Sequence, residues 1–315
     1  MLGAMSQPSR WQRVVERSLD VLVPVSFGKS GYRLRRRWFD DLNVDLRGRT
    51  ALVTGGSRGI GLAIVEALRA LGANVVVAAR DVAAARAACE PLTGAGSLEV
   101  HELDVSSLAS VHALADRLHG ASLDIVIHNG GGMYRQQETS VDGLELTWAT
   151  HVVGPFALTY LLLPQLEQSD DARVITVSSG GQYMVALPAP GHVDDPYDGV
   201  KQYAYAKRAQ LALTRWWSAG GSPIGFYSMH PGWVDTKAVA DSMPSFYRWT
   251  KPILRTPAQG ADTAVWLAAA PRRELADGGF YFDRALRKPH LFSRADADDA
   301  GDVLAQWCQR ATLQQ

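Results

Sequence analysis

Hydrophobic positions along this chain change rhythm near Leu46. Before it, Trp11, Val14, Val15, Leu19, Leu22 and Val23 recur at near-helical spacing with charged residues between them, which predicts an amphipathic helix over residues 11–27. After it come short apolar runs, many of them β-branched, at 51–53, 75–79, 98–103, 125–128, 174–177 and 224–229. Helix-length amphipathic stretches separate these runs, the rhythm of βαβ units around a buried parallel sheet. Ile60, Ile64, Leu68 and Leu71 form one helical stripe, and residues 143–166 carry another that Pro155 is expected to kink, because proline cannot donate to the helical ladder. Val303, Leu304, Trp307, Cys308 and Ala311 predict a terminal helix. The expected fold is α/β: a Rossmann-type doubly wound parallel sheet in a single domain over residues 45–290, with an N-terminal amphipathic extension (1–44) and a C-terminal helical tail (291–315). Residues 1–8 are expected to be disordered.

Composition narrows the classes. With 315 residues, 47% hydrophobic and 20% charged, the chain can build a sizeable core. Its 32 basic and 32 acidic residues cancel, so bulk electrostatics favour no nucleic acid partner. The exception is local: Lys29, Arg33, Arg35, Arg36 and Arg37 follow the amphipathic stretch. That extension either docks onto the main domain or, with its basic residues, makes peripheral membrane contact through residues 10–37. Cys89 and Cys308 fall in helical patterns without metal-ligand spacing, so they read as packing residues and no metal site is expected. A cytoplasmic setting is the expectation, because no uninterrupted apolar run reaches a membrane-spanning length and the first residues lack the order of a signal peptide.

Candidate chemistry begins immediately after the first run, at Thr54-Gly55-Gly56-Ser57-Arg58-Gly59-Ile60-Gly61. Glycines between a strand and a helix allow a sharp turn, close approach to a pyrophosphate and tight helix packing, and the helix N-terminus favours the phosphates. The second run ends Ala78-Ala79-Arg80 without a carboxylate. Arg80 and Arg58 would therefore welcome a 2′-phosphate, which favours NADP(H) over NAD(H). Asp81 caps the next helix or reaches the ribose. Asp104, followed by Val105, is placed either to accept from an adenine amino group or to cap the helix starting near Ser106. After His128, the Asn129-Gly130-Gly131-Gly132 turn lets a flat cofactor pass close to the backbone. Further on, Tyr203 and Lys207 lie four apart. On a helix that spacing puts phenol and ammonium on one face, where the ammonium is expected to lower the tyrosine pKa from about 10 toward working pH.

In this order the motifs resemble the short-chain dehydrogenases/reductases over roughly residues 45–285, and within them the retinol-dehydrogenase-like branch. The likeness rests on Gly55, Gly59 and Gly61, Asp104-Val105, the Asn129 turn, Ser178-Ser179, Tyr203 with Lys207, and His230-Pro231-Gly232-Trp233-Val234-Asp235-Thr236. The resemblance implies that Ser179 holds the substrate oxygen, with Ser178 as the alternative. It implies that Tyr203 moves the proton, and that Lys207 tunes Tyr203 and binds the nicotinamide ribose. Pro231 and Gly232 would leave room for the ring, Val234 would lie beside it, and Thr236 would bond the carboxamide or a phosphate. Two residues depart from the family pattern: His151 stands where a helix kink usually carries asparagine, and His128 replaces the first residue of an Asn-Asn-Ala-Gly turn. His151 would replace the family's water-linked relay, merely pack, or titrate near neutral pH.

The expected activity is NADP(H)-dependent interconversion of a carbonyl and an alcohol. Met133, Tyr134, Tyr183, Met184 and Trp233 should border the nicotinamide, so a lipid, steroid, retinoid or xenobiotic small-molecule substrate is expected. Residues 188–199 should form a loop at its entrance. A cofactor-bound regulatory protein of weak or no turnover is the alternative reading. Family members often pair through their two long helices, so a homo-oligomer is expected unless the N-terminal extension covers that surface.

Overall fold

Residues 23–290 and 300–313 are described by the computed structural model, and they build one eight-stranded sheet of order β3-β2-β1-β4-β5-β6-β7-β8. Strands β1 (Thr50–Thr54), β2 (Asn74–Ala79), β3 (Leu98–Glu102), β4 (Ile125–His128), β5 (Arg173–Val177) and β6 (Gly225–Met229) coincide with the six predicted runs to within two residues. They pair in parallel, and β1, β2, β4, β5 and β6 are almost wholly buried, as expected for strands covered on both faces. Strand order reverses between β1 and β4, which opens a crevice at their carboxyl ends. The sheet closes with β7 (Phe280–Phe282) and β8 (Ala285–Arg287), an antiparallel hairpin turning on Asp283 and Arg284, both at positive φ. Three-residue strands carry no readable period, so the sequence pattern does not announce this hairpin.

Helices α1 (Val23–Phe27), α2 (Lys29–Arg36), α3 (Gly59–Ala70), α4 (Val82–Cys89), α5 (Leu108–Arg117), α6 (Leu146–Leu166), α7 (Gly199–Ala219), α8 (Lys237–Ser242), α9 (Pro244–Thr250), α10 (Pro257–Ala269) and α11 (Ala300–Leu313) complete the described chain. One core layer joins α3 and α10 to the sheet through Ile64, Leu68, Val265 and Trp266. The other joins α5, α6 and α7 through Leu114, Trp148, Phe156 and Leu213. Helix α6 is apolar and long enough to span a membrane by composition alone, yet it is mostly buried inside this second layer. Its kink falls near the predicted place. Residues Ala149–Val153 form a π-turn and Pro155 follows at the start of the straight segment. Because Pro155 has no N–H, the carbonyl of His151 four residues back loses its helical donor. Gln210 Nε2 on α7 takes that carbonyl instead, at 2.8 Å.

The N-terminal expectation can be compared with the structure only from residue 23 onward. Only the end of the predicted 11–27 helix lies among the described residues, as α1; residues 1–8 and 291–299 lie outside them. After Gly28 a second helix, α2, folds back so closely that Gly31 touches the Ser26 carbonyl and has no room for a side chain. The basic cluster is therefore divided. Arg33, Arg36 and Arg37 are exposed, but Arg35 is buried and pairs with Asp283 at 3.0 Å. Arg35 is thus unavailable to a membrane surface. At the other end, α11 packs across α7 and the kink of α6: Leu304, Ala305 and Cys308 are buried, Trp307 meets Trp148 edge-on at 5.7 Å, and Trp216 Nε1 donates to Asp302 at 2.7 Å. It is this tail that covers a face of the two long helices.

Candidate active site

The β1–α3 turn is built around glycines that geometry requires. Gly55 and Gly59 sit at φ 65° and 56°, a region L side chains rarely adopt. A side chain at Gly61 would collide with the Gly55 carbonyl and with Asn129 Nδ2. Asn129 in turn donates that amide to the carbonyls of Thr54 and Gly55, while Thr54 Oγ1 accepts from the backbone of Asn129 and Gly130. Thr54, the first residue of the glycine motif but given no role of its own by the sequence, thus locks β1 to the β4 turn. Ser57, Arg58 and Ile60 complete the rim of the turn, with Arg58 exposed. Across the groove, Thr236 lies where a side chain at Gly59 would meet it in van der Waals contact, and it caps α8 by accepting from Val239 N. Val234 packs with Ile60 against Gly260 of α10.

At the ends of the other strands, Arg80 is exposed beyond β2. Of the two roles open to Asp81, the cap is present: its Oδ1 accepts from Ala84 N at 2.8 Å. Asp104 does not cap α5. It accepts from Ser106 N and Oγ in a tight turn, and Ser107 is the cap. Val105 lies against Gly154, whose missing side chain lets α6 approach. Gly131 has no room for a side chain because the His151 ring lies against it. The glycine turn therefore accommodates a histidine as well as leaving a flat cradle.

Ser179, Tyr203 and Lys207 converge beside this crevice. Ser178 is fully buried and donates to the Lys207 carbonyl at 3.0 Å, tying β5 to α7. Ser179 stays partly exposed, caps the following turn through Gly181 N, and hydrogen-bonds Tyr203. Lys207 Nζ lies 5.3 Å from the centroid of the Tyr203 ring and donates to the Val177 carbonyl at 2.8 Å. Spacing alone predicts a lowered tyrosine pKa, and here the structure disagrees. Burial pushes Tyr203 up to about 12, with the Ser179 hydrogen bond opposing it, and burial draws Lys207 down to about 7. Both groups lose more hydration than their proximity returns.

Of the three expected fates of His151, titration near neutral pH is the one its burial opposes. Its Nε2 lies 2.7 Å from the Gly132 carbonyl, so that nitrogen carries the proton. The ring stands edge-on to Tyr203, centroids 5.3 Å apart. Burial first, then the charge of Lys207, draws its pKa down to about 3. Burial likewise draws His128 down to about 4, and His230 well below its ordinary value with Arg255 adding to the effect. All three stay neutral in the fold but titrate near 6.5 when unfolded, so their contribution to stability is complete above about pH 6.5 and is lost as pH falls toward their folded values. Each contributes a slope of about 1.4 kcal/mol per pH unit. Urea unfolding at about pH 5.5 should therefore give a stability several kcal/mol below that near neutrality, and equal values would contradict this burial pattern.

The β6 end is braced by the N-terminal segment. Trp233 N donates to the Phe27 carbonyl at 2.9 Å, and Arg255 Nε donates to the same oxygen at 2.8 Å. The Phe27 ring fills the space beside Gly180, next to Ser179, and meets Trp233 edge-on. Pro231 and Gly232 are held in this clamp, with Gly232 at φ 77° against the Phe27 carbonyl and Arg255. A cleft of about 830 Å³ lies alongside, between residues 133–135, 194–201 and 242–246. It contains the end of the predicted entrance loop and borders the start of α7, but Ser179, Tyr203 and Lys207 do not line it. Of the five expected bordering residues, Met133 and Tyr134 line the cleft, Tyr183 packs on His230 and Phe280, Trp233 packs on Phe27 and Phe246, and Met184 is 81% exposed.

A dinucleotide crevice with a Ser, Tyr and Lys at its edge defines a class, and the chain belongs to it: residues 49–245 match the short chain dehydrogenase family model. It is an oxidoreductase of that family, in the retinol-dehydrogenase-like branch. The chain is 39% identical over 278 residues to Dehydrogenase/reductase SDR family member 12 of Bos taurus, covering 84% of this chain and 86% of that one. It is 31% identical over 251 residues to Retinol dehydrogenase 12 of Homo sapiens, covering 76% and 79%. Among solved structures, the Pseudomonas aeruginosa RhlG/NADP active-site complex superposes with a TM-score of 0.62 at 28% identity, covering 75% of this chain and 94% of that one.

Proposed function

We propose that this chain is an NADP(H)-dependent carbonyl reductase or alcohol dehydrogenase acting on an apolar small molecule. The observation that carries the reading is the meeting of Ser179, Tyr203 and Lys207 at the edge of the crevice. The residues present fit a dinucleotide: Gly55, Gly59 and Gly61 leave a cradle at the N-terminus of α3, and Thr236 faces Gly59 across it, which favours a phosphate over the carboxamide as its partner. When bound, the dinucleotide supplies or accepts the hydride. Ser179 holds the substrate oxygen through its hydroxyl, Tyr203 gives that oxygen a proton in reduction and takes it back in oxidation, and Lys207 stabilises the charge left on the phenol oxygen. In the neighbouring cleft Met133, Tyr134, Met243 and Phe246 offer apolar surface for such a substrate, beside the charged Arg135, Asp194, Asp195, Asp198 and Lys201.

NADP(H) is favoured by Arg80 and Arg58, both exposed at the crevice rim where a 2′-phosphate would lie. Arg80→Ala is expected to weaken NADPH binding about 10- to 100-fold, the value of a charge-assisted hydrogen bond, and to leave NADH almost unaffected. Fluorescence titration of both cofactors checks it, and equal losses for the two would remove the assignment. The reading as a whole is tested by NADPH consumption over a panel of apolar aldehydes and ketones. A second reading, a dinucleotide-binding protein of weak turnover, is favoured by His151 at the kink and by the high Tyr203 pKa. Tight NADPH binding without turnover on the panel would select it.

A further inference from the structure

His128 and His151, which depart from the family pattern at separate places in the chain, line one small cavity beneath the π-turn of α6. Thr159, Thr176, Gln210 and Thr214 line it too, and the rest of its wall is largely apolar. Its volume of about 30 Å³ accommodates one water. Most polar groups here are already paired. His128 Nε2 bonds Thr159 Oγ1 at 2.7 Å, Thr214 donates to the Gln210 carbonyl at 2.8 Å, and Gln210 Nε2 donates to the His151 carbonyl at 2.8 Å. Three atoms of these lining residues remain without a protein partner: His151 Nδ1, which lies toward Gly131, and His128 Nδ1 and Gln210 Oε1, in side chains only 4% and 5% exposed. The Gln210 amide cannot be reversed to relieve this, since its oxygen would then face the His151 carbonyl oxygen.

We infer that this cavity holds one ordered water bridging His128 Nδ1 and Gln210 Oε1, and that the bridge makes Gln210 a positioning residue for Tyr203. Water is the ligand that fits. It donates to Gln210 Oε1, and it either donates to or accepts from His128 Nδ1, whichever tautomer the Thr159 bond selects. Fixing one water is less costly than leaving two buried polar atoms unsatisfied. With the water in place, Gln210 holds the His151 carbonyl in the π-turn and so fixes the imidazole that stands against Tyr203. The arrangement is a brace, not a proton path: His151 donates to the Gly132 carbonyl, which has no proton to pass on. The positioning role rests on the proposed part of Tyr203 in catalysis; the water site does not.

Two measurements keep these apart. A crystal structure of the full chain at a resolution that shows ordered waters should contain one within hydrogen-bond distance of both His128 Nδ1 and Gln210 Oε1. A dry cavity would overturn the inference. Gln210→Met, which keeps the volume and removes the amide, should lower kcat on the best panel substrate by about 10²-fold, the scale of a small misplacement, with NADPH affinity unchanged. A lower melting temperature with unchanged kcat would reduce Gln210 to a structural role and overturn the positioning claim. If Tyr203→Phe kept full turnover, the catalytic reading would fail while the crystallographic result for the water stood.

Discussion

Replacing Tyr203 with phenylalanine is expected to lower kcat by about 10²- to 10⁴-fold, the usual contribution of a positioned acid/base group. The substitution removes one oxygen and keeps the ring that packs edge-on against His151 and beneath the Lys207 ammonium, so fold and cofactor affinity should persist. Ser179 loses its hydrogen-bond partner but keeps its cap on Gly181. Steady-state kinetics on the best panel substrate, beside NADPH titration, separate the two effects. Wild-type kcat in this variant would end the assignment. The pKa directions add a condition: the phenol, pushed up to about 12 by burial, and the amine, drawn down to about 7, keep Tyr203 protonated across neutral pH. Reduction should therefore run well at neutrality, while oxidation, which needs a phenolate to take the proton, should gain as pH rises.

Asp283→Asn is expected to destabilise the whole domain by about 3–5 kcal/mol, the cost of leaving buried charges unpaired. Two guanidiniums, each 1% exposed, share this one carboxylate: Arg35 at 3.0 Å, and Arg255 at 2.5 and 2.9 Å. Asparagine tolerates the left-handed backbone that residue 283 adopts at φ 48°, so the change isolates charge from backbone strain. The loss is a large share of a typical total of about 5–15 kcal/mol. Its second consequence is local. Arg35 and Arg255 hold Ser26 and Phe27, so the segment that presses on Gly180 and Trp233 should loosen. Urea unfolding and limited proteolysis within residues 23–37 check both; a change below about 1 kcal/mol, the scale of a surface pair, would contradict the buried-cluster account.

The parallel sheet was legible because each central strand is a short β-branched run between helical stripes, and the cofactor turn because its glycines occupy positions where side chains do not fit. Pro155 announced the kink of α6, since a missing donor has a local consequence. Other features depend on partners far along the chain. Arg35 belongs to a basic run by sequence, yet its carboxylate lies 248 residues away, and no local pattern points to it. The same holds for Gln210 beneath the kink and for Phe27 beside Ser179. The pKa of Tyr203 went the other way from its expectation for a related reason: four-residue spacing brings an ammonium near a phenol, but the burial that decides the sign is set by the whole fold.

Hydride transfer to a carbonyl is the central claim, and isotope transfer tests it most directly. NADPH deuterated on the nicotinamide C4 position that donates hydride, incubated with the full chain and each apolar aldehyde or ketone of the panel, is predicted to give an alcohol carrying deuterium on its carbinol carbon, and to give none with Tyr203→Phe on the same timescale. NADPH that binds tightly while no panel member yields labelled alcohol would contradict it.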